Sequence, residues 1–209
     1  MKISFARVRI ELKKNDMQAV FIHIPKTAGS SIHEFCQRNN INIIKHLARY
    51  PEFVWYRDRH DLEDYFSFTF VREPVSRCIS AFNYLNNKAL KQVLIEDAES
   101  YIYRYNGDFI SFVKNEISKG DVLNQIHFIP QYKWICSNEG IIVVDKVFKY
   151  EYLSTSIIKL SNLFGDKNFK LAHANKSAKL YVDYKELKKV IPIIHEVYKE
   201  DYSMFGYQM

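Results

Sequence analysis

The segment from Pro25 to Ser31, Pro-Lys-Thr-Ala-Gly-Ser-Ser, carries side chains that are suited to binding an anion. It combines one cation, three hydroxyl groups and one glycine, and it lies between an apolar run and a predicted helix. Backbone N–H groups at a helix N-terminus bind phosphate or sulfate oxygens, and Lys26 would add a full charge. The segment is not a Walker A loop, because in that loop the lysine lies near the end, whereas here it lies near the start. We therefore predict an anion site; the alternative is an ordinary strand-to-helix turn with a serine cap.

The segment from Arg72 to Ser80 predicts a second anion site. Arg72 follows another apolar run, and Ser80 falls in the second turn of a helix that Pro74 opens. A guanidinium group and a hydroxyl group on one side can hold a phosphate through paired and single hydrogen bonds. Arg77 is interpreted as a structural residue that pairs with Glu73 one turn earlier.

Short strands and amphipathic helices are predicted around these two segments. The predicted strands are apolar runs rich in β-branched and aromatic residues, namely Ala19–Ile24, Ile41–Ile44, Phe66–Val71 and Ile141–Val144, with Val147–Tyr150 as a continuation or an edge strand. The predicted helices begin at Ser30 or Ser31, at Pro74, at Ser154 (through Leu163) and at Asp183, and Pro192 must kink or restart the last one. The pattern of residues 90–118 predicts one or two helices that are broken near Asn106. Their polarity predicts that they form an insertion on the outside of the fold.

Strands that alternate with helices predict an α/β fold. A central, mainly parallel sheet would be covered by helices on both faces, a three-layer, P-loop-like arrangement. Ligands then bind at the carboxyl ends of the strands, where the loops that start at Pro25 and Arg72 are expected. We expect residues 1–209 to form a single domain, because no linker or internal repeat divides the chain.

Composition and charge exclude several classes of protein. Hydrophobic residues make up 47% of the chain, and Gly (6) and Pro (5) are few, which excludes a disordered or collagen-like protein. A net charge of +6 fits a partner that carries phosphate, sulfate or carboxylate groups. The cysteines form no C-x-x-C pair, and Cys36 and Cys78 are interpreted as small buried hydrophobes. Without a signal peptide or a membrane span, a soluble, cytoplasmic protein or a catalytic domain lacking its anchor is expected.

Both anion segments resemble the nucleotide-binding loops of sulfotransferases that use 3′-phosphoadenosine 5′-phosphosulfate (PAPS). The resemblance is to the carbohydrate-directed branch, of heparan and chondroitin type. Residues 21–31, Phe-Ile-His-Ile-Pro-Lys-Thr-Ala-Gly-Ser-Ser, are similar to its 5′-phosphosulfate loop, and residues 68–82 contain the pattern R-x-P-x-x-R-x-x-S of its 3′-phosphate loop. The likeness extends to Pro130-Gln131, to residues 144–153 and 173–177, and to the ending 201–207.

The resemblance implies which residues hold the donor nucleotide. Contacts with the 5′-phosphosulfate are implied for Lys26, Thr27, Ala28, Gly29, Ser30 and Ser31. Contacts with the 3′-phosphate are implied for Arg72 and Ser80, and a late loop of Asn175, Lys176 and Ser177 would close over the nucleotide. No metal ion is expected, because a transferring sulfuryl group carries less negative charge than a phosphoryl group and needs less compensation.

Transfer to a hydroxyl group needs a general base, and histidine is the side chain best matched to neutral pH. His46 follows the second predicted strand, so a parallel sheet places it near both loops. Related carbohydrate sulfotransferases carry their base in a similar region, and His46 is the first candidate. His127 is the second, or it orients the acceptor. Either could instead be a core histidine, and the same holds for His23 in the first strand.

The sequence thus predicts an enzyme that moves a sulfuryl group from PAPS to a hydroxyl group of a carbohydrate, an oligo- or polysaccharide. One alternative is a nucleotide-dependent kinase with a degenerate phosphate loop, which would need ATP and Mg²⁺. Another is a non-catalytic protein that binds nucleotide or sulfated glycan. Nucleic-acid binding ranks last, since the positive residues are dispersed and accompany no known motif. Acceptor identity and oligomeric state do not follow from the sequence.

Overall fold

The computed structural model describes residues 18–46, 64–86, 95–165 and 182–209. The strands are β1 (Ala19–Ile22), β2 (Ile43–His46), β3 (Phe66–Val71) and β4 (Lys146–Lys149). The α-helices are α1 (Gly29–Arg38), α2 (Pro74–Leu85), α3 (Ile95–Tyr101), α4 (Phe109–Phe112), α5 (Tyr132–Ile135), α6 (Leu153–Leu163), α7 (Tyr184–Val197) and α8 (Lys199–Phe205). The backbone divides into two compact units, one over Met1–Val71 and Lys133–Ala174, the other over Arg72–Tyr132 and Asn175–Met209. A single domain over 1–209 stays a prediction.

The first unit is built on a parallel sheet with the strand order β2-β1-β3-β4. β1 lies between β2 and β3, with Ile22 opposite His46 on one side and opposite Thr69 on the other. Each residue of β1 is buried, as a continuous apolar run in a parallel sheet requires. The predicted α/β class with a central parallel sheet is therefore confirmed.

Helices α1 and α6 pack against this sheet. Their apolar side chains form one buried cluster with those of β1, β3 and β4, which contains Ala19, Phe21, Ile32, Phe35, Cys36, Phe68, Phe70, Phe148, Ile157 and Leu160. The rings of Phe21 and Phe68 stack with their centroids 5.2 Å apart. Alternate residues of a strand point to the same face, so this cluster fixes which strand residues face the helices.

The second unit is helical and has its own apolar core. Its buried members are Cys78, Ala81, Phe82, Leu85, Ala98, Ile102, Phe109, Phe112, Val113, Ile117, Val122, Phe128, Val190, Ile194, Tyr198 and Tyr202. The chain breaks at Asn106 and Gly107, whose φ angles are 48° and 86°, as predicted. The expectation of an outer insertion at 90–118 is wrong for its described part, because α4 and the π-helical turn Val113–Ile117 lie in this core.

The predicted strand at Ile141–Val144 is also wrong. Ile142 makes a single antiparallel bridge with Cys136, and Ile141 is 63% exposed. The fourth strand is β4, close to the other predicted position. Its register is fixed by Asp145, whose carboxylate accepts hydrogen bonds from the backbone N–H and the hydroxyl group of Ser67 at 2.7 and 2.8 Å.

Helix ends follow the sequence signals only in part. α1 begins at Gly29, one or two residues earlier than predicted, and α6 begins at Leu153, so Ser154 is not its N-cap. α7 continues through Pro192 and is not restarted there. Asp183 does cap α7 as predicted, since its carboxylate accepts from the backbone N–H of Lys185 at 2.7 Å.

Each unit contains one deeply buried thiol. Cys36 lies in the core of the first unit and Cys78 in that of the second, which confirms their prediction as buried hydrophobes. Burial raises the pKa of both thiols to about 12. Thiolates are the reactive form, so neither cysteine is a nucleophile in the folded protein.

Candidate functional site

The turn between β1 and α1 has an unusual backbone conformation. Lys26 and Ala28 have φ angles of 71° and 78°, in the left-handed region that residues other than glycine rarely adopt. Such strain concentrates at ligand sites. When a left-handed residue follows a right-handed one, their backbone N–H groups converge and can bind an anion. The backbone geometry therefore supports an anion cradle at this position.

Thr27 holds the turn together. Its side chain is fully buried, and its hydroxyl group donates a hydrogen bond to the carbonyl oxygen of Ile24 at 2.9 Å. Because this hydroxyl proton is already donated within the turn, the hydroxyl group of Thr27 is not available to donate a hydrogen bond to a bound anion. Thr27 thus shapes the cradle, whereas Ser30 is exposed and Ser31 half-buried.

The N-terminus of α1 follows the turn directly. Ala28 occupies the cap position, and no side chain among the described residues caps this helix end. The first N–H groups of a helix have no partner within the helix, and here they include those of Gly29, Ser30 and Ser31. The first turn contains no acidic residue, so the partial positive charge of the helix end is not cancelled there.

Gly29 permits a close approach between α1 and His23. A Cβ atom at position 29 would lie 1.8 Å from Cδ2 and 2.0 Å from Nε2 of His23. No larger residue fits unless the imidazole ring moves. His23 is half-buried, and its ring also stacks on Phe21 with centroids 5.9 Å apart. The ring therefore supports the start of α1 from the sheet side.

The turn after β3 is shaped by the start of α2. Glu73 is the N-cap, and its carboxylate accepts hydrogen bonds from the backbone N–H groups of Val75 at 2.9 Å and Ser76 at 2.7 Å. Pro74 takes the first helical position, where its missing N–H costs nothing. Sequence reasoning missed this cap. The predicted pairing of Glu73 with Arg77 stays a prediction.

Arg72 shares one side of α2 with two serines. Its Nε donates a hydrogen bond to Oγ of Ser76 at 2.8 Å. Ser80 lies four residues further along the same helix face and is 7% exposed. The guanidinium group is thereby held on the face that carries Ser80. Ser76 is a second residue that sequence reasoning missed.

Gln131 clamps the backbone of Arg72. Its Oε1 accepts a hydrogen bond from the N–H of Arg72 at 2.9 Å, and its Nε2 donates to the carbonyl oxygen of Arg72 at 2.8 Å. Asp201 holds Gln131 in turn, because its carboxylate accepts from the backbone N–H of Gln131 at 2.9 Å and from that of Tyr132 at 2.8 Å. Gln131 and Asp201 are fully buried.

Tyr202, the neighbour of Asp201, reaches the same turn. Its hydroxyl group donates to Oε1 of Glu73 at 2.6 Å. Burial, reinforced by this hydrogen bond and by the negative charge of Glu73, raises the pKa of Tyr202. The only sequence signal for these contacts was that Pro130-Gln131 and the ending 201–207 belong to the resemblance.

This network contains one buried ionisable group, Asp201, and a second, Arg77, lies beside it. Burial raises the pKa of Asp201, opposed by the hydrogen bond from the Gln131 N–H and by the charge of Arg77. Burial lowers the pKa of Arg77, opposed by electrostatic interactions with Tyr198 and Asp201. Replacing either Asp201 or Arg77 by a neutral residue would leave the other charge buried without compensation, which is strongly destabilising.

His46 is the last residue of β2 and pairs with Ile22 of β1. It therefore ends its strand, instead of following it as predicted. Because the strands are parallel, its backbone lies at the edge of the sheet from which the turn to α1 also leaves.

His127 is held in one tautomer by Gln125. The backbone N–H of His127 donates to Oε1 of Gln125 at 2.7 Å, and Nε2 of Gln125 lies 2.9 Å from Nδ1 of His127. Since Oε1 accepts, the amide nitrogen must donate to Nδ1, and the imidazole proton is then on Nε2. In this tautomer His127 can donate a hydrogen bond from Nε2, but it has no lone pair there with which to accept a proton.

The late loop of Asn175, Lys176 and Ser177 lies outside the described residues. In the four described ranges, no group of three or more His, Cys, Asp or Glu side chains is arranged to hold a metal ion. Of the helices in these ranges, none combines the length and the apolar character that crossing a bilayer requires.

The profile of the sulfotransferase family matches residues 12–208. The chain belongs to the sulfotransferase family. No curated protein and no solved structure matches it significantly. The resemblance inferred from the two loops is confirmed at the level of the family. Membership makes the transfer of a sulfuryl group the general activity of this sulfotransferase, and both turns described above lie in the matched range.

Proposed function

We propose that the chain transfers a sulfuryl group from PAPS to a hydroxyl group of a carbohydrate, with residues 1–209 acting as one domain. The observation that carries the proposal is the pair of turns after β1 and β3. These strands are adjacent and parallel, and each leads into a turn and a helix that present anion-binding groups. In a chain of the sulfotransferase family, a nucleotide with anionic groups at two positions suits such a pair.

The residue types of the two turns suit the two ends of PAPS. Lys26 and the N–H groups of Gly29, Ser30 and Ser31 are assigned to the 5′-phosphosulfate, with Thr27 and Ala28 shaping the cradle. Arg72 and Ser80 are assigned to the 3′-phosphate, because a guanidinium fork and a hydroxyl group match its oxygens. The late loop of Asn175, Lys176 and Ser177 is assigned to the nucleotide on the family resemblance alone.

Lys26 has the role of stabilising charge. PAPS supplies an activated sulfuryl group, and its departure leaves negative charge on the bridging phosphate oxygen. A cation and backbone dipoles aimed at this oxygen act most strongly where charge develops. Since a sulfuryl group carries less charge than a phosphoryl group, the proposal includes no metal ion.

The two histidines take different roles. His46 is proposed as the general base that removes the proton of the acceptor hydroxyl group. His127 carries its proton on Nε2, which suits a donor that orients the acceptor better than a second base. In-line attack then needs only that the acceptor oxygen is held opposite the leaving group. A carbohydrate acceptor is proposed on the resemblance to the carbohydrate-directed branch.

Calorimetry with 3′-phosphoadenosine 5′-phosphate, the product nucleotide, tests the assignment of the two turns. Lys26→Ala and Arg72→Ala should each weaken binding by about tenfold or more, the size of a lost hydrogen bond between charged groups. Lys159→Ala, which removes an exposed lysine on α6, is the matched control and should leave affinity unchanged. Unchanged affinity in both test variants would remove the proposed site.

Activity is tested by incubating the protein with radiolabelled PAPS and a panel of oligosaccharides. Transfer to at least one of them supports the proposal. A preference for ATP with Mg²⁺ over the adenosine bisphosphate, read from thermal shifts, would indicate the kinase alternative. Nucleotide binding without transfer across the panel would indicate a non-catalytic binder.

A further inference from the structure

We infer that Gln131, Asp201 and Tyr202 are positioning residues that set the 3′-phosphate affinity of the enzyme by holding the backbone from which Arg72 projects. This inference rests on the proposed function, which assigns Arg72 to the 3′-phosphate. None of the three side chains is itself assigned to the nucleotide. They act by holding the turn after β3, and they connect this turn to α8.

The amide of Gln131 replaces a neighbouring strand for one residue. It accepts from the N–H and donates to the C=O of Arg72, at 2.9 and 2.8 Å, which is the pattern that a paired strand would supply. Because a backbone N–H can only donate, this pattern also fixes the orientation of the amide. Arg72 follows β3 directly, so Gln131 extends the ordered backbone past the strand end.

Asp201 holds Gln131 in place. Its Oδ2 accepts from the backbone N–H of Gln131 at 2.9 Å and from the side-chain Nε2 at 3.3 Å, while its Oδ1 accepts from Tyr132 at 2.8 Å. A carboxylate held by N–H donors in a buried place has little freedom to move. Both the main chain and the amide of Gln131 are therefore locked.

Tyr202 acts on the next residue of the turn. Its hydroxyl group donates to Glu73 at 2.6 Å, and the same carboxylate caps the first turn of α2. Two consecutive residues of α8 thus determine the positions of Arg72 and Glu73, one through Gln131 and the other directly. Ser76, which accepts from Arg72, belongs to the helix that this cap starts.

The experiment measures how much the 3′-phosphate contributes to affinity. For each variant, the dissociation constants of adenosine 5′-phosphate and of 3′-phosphoadenosine 5′-phosphate are determined, and their ratio gives the preference for the 3′-phosphate. Gln131→Met keeps the side-chain length and removes both hydrogen bonds to Arg72, so the ratio should fall by about tenfold. Tyr202→Phe should lower it by a smaller factor, because it removes one hydrogen bond to the cap.

Tyr198→Phe is the matched control for Tyr202→Phe. Tyr198 is also buried, and its hydroxyl group donates to the carbonyl oxygen of Phe128 at 2.8 Å and not to Arg72 or Glu73. Its loss should change thermal stability by a similar amount and leave the ratio unchanged. If the test variants weaken both nucleotides equally, or if the control lowers the ratio as much as Tyr202→Phe, the positioning role is overturned.

Failure of the proposed function gives a different result. A wild-type protein that binds both nucleotides equally, or neither, contradicts the assignment of Arg72 itself. The state of the turn is then read without nucleotide, from hydrogen exchange of the Arg72 amide and its neighbours. Faster exchange there in Gln131→Met, with none in Tyr198→Phe, supports the clamp, and unchanged exchange overturns it.

Discussion

The turn after β1 and the turn after β3 are stabilised in different ways. The first is shaped by its own residues, through left-handed φ angles at Lys26 and Ala28 and the bond from Thr27 to a carbonyl three residues back. The second is held from a distance. Gln131 is 59 positions from Arg72, and Tyr202 is 129 positions from Glu73.

This difference bears on which turn takes part in sulfuryl transfer and which turn only binds the nucleotide. In the proposed function the reacting end of the nucleotide belongs to the self-contained turn, whereas the 3′-phosphate belongs to the turn that depends on its whole unit. Loosening the second unit should therefore weaken donor binding without altering the charge stabilisation at the sulfuryl group.

Steady-state kinetics should give the largest difference between the two turns. Lys26→Ala should lower kcat by about 10²–10³-fold, because a charge-stabilising donor is lost where the leaving oxygen develops charge. Arg72→Ala should mainly raise KM for PAPS, because the 3′-phosphate does not change charge in the reaction. Initial rates at varied PAPS check this split, and equal losses of kcat in the two variants would contradict it.

Substitution of the two histidines should separate base from donor. His46→Ala should lower kcat by about 10²-fold at unchanged affinity for the product nucleotide, because it removes the base and none of the anion-binding groups. His127→Phe should instead raise KM for the acceptor. A nearly normal rate in His46→Ala would show that the base is elsewhere.

Gly29→Ala tests how rigid the first turn is. The new Cβ would overlap the ring of His23, so the variant should lose about 1–3 kcal/mol of stability, as overpacked cores do. The combined variant His23→Ala with Gly29→Ala should recover part of this loss, since the overlap is gone. A thermal-melting double-mutant cycle measures the coupling between the two positions. Additive losses would mean that the ring does not constrain α1.

Changes in the rates of thiol labelling should be the smallest effects, and they should show which of the two units a substitution destabilises. Cys36 and Cys78, with pKa values raised to about 12, should be alkylated only when their own unit opens. Gln131→Met should speed labelling of Cys78 about fivefold, which corresponds to a destabilisation of about 1 kcal/mol, and leave Cys36 unchanged. Gly29→Ala should do the reverse. Parallel acceleration of both thiols would show that the units open together.

Features with local causes could be predicted from the sequence. β3 and α2 were predicted with the observed bounds at Val71 and Pro74, because a buried apolar run followed by proline is a strong local signal. The turn at Lys26 between β1 and α1 was predicted for the same reason, and its binding of an anion stays a prediction. The sequence also predicted His46 near the end of β2, where the structure places its backbone, and its role as the general base stays a prediction.

Features with distant causes could not be predicted. Gln131, Asp201 and Tyr202 carry no local sign of their partners, and an Asp in a short helical segment is usually exposed. The apolar run Ile141–Val144 gave the stronger strand signal. The side-chain bonds between Asp145 and Ser67 nevertheless place the fourth strand later, and such a pairing is visible only when both segments are folded.

The second unit is discontinuous along the chain, and this has a consequence for its biosynthesis. Phe82, Phe112 and Phe128 leave the ribosome well before Val190 and Ile194 of α7, against which they form one core. Until translation reaches α7, part of this aromatic surface has no cover and is available to chaperones or to other nascent polypeptides. The yield of native enzyme should therefore depend on how such intermediates are protected until α7 has been synthesised.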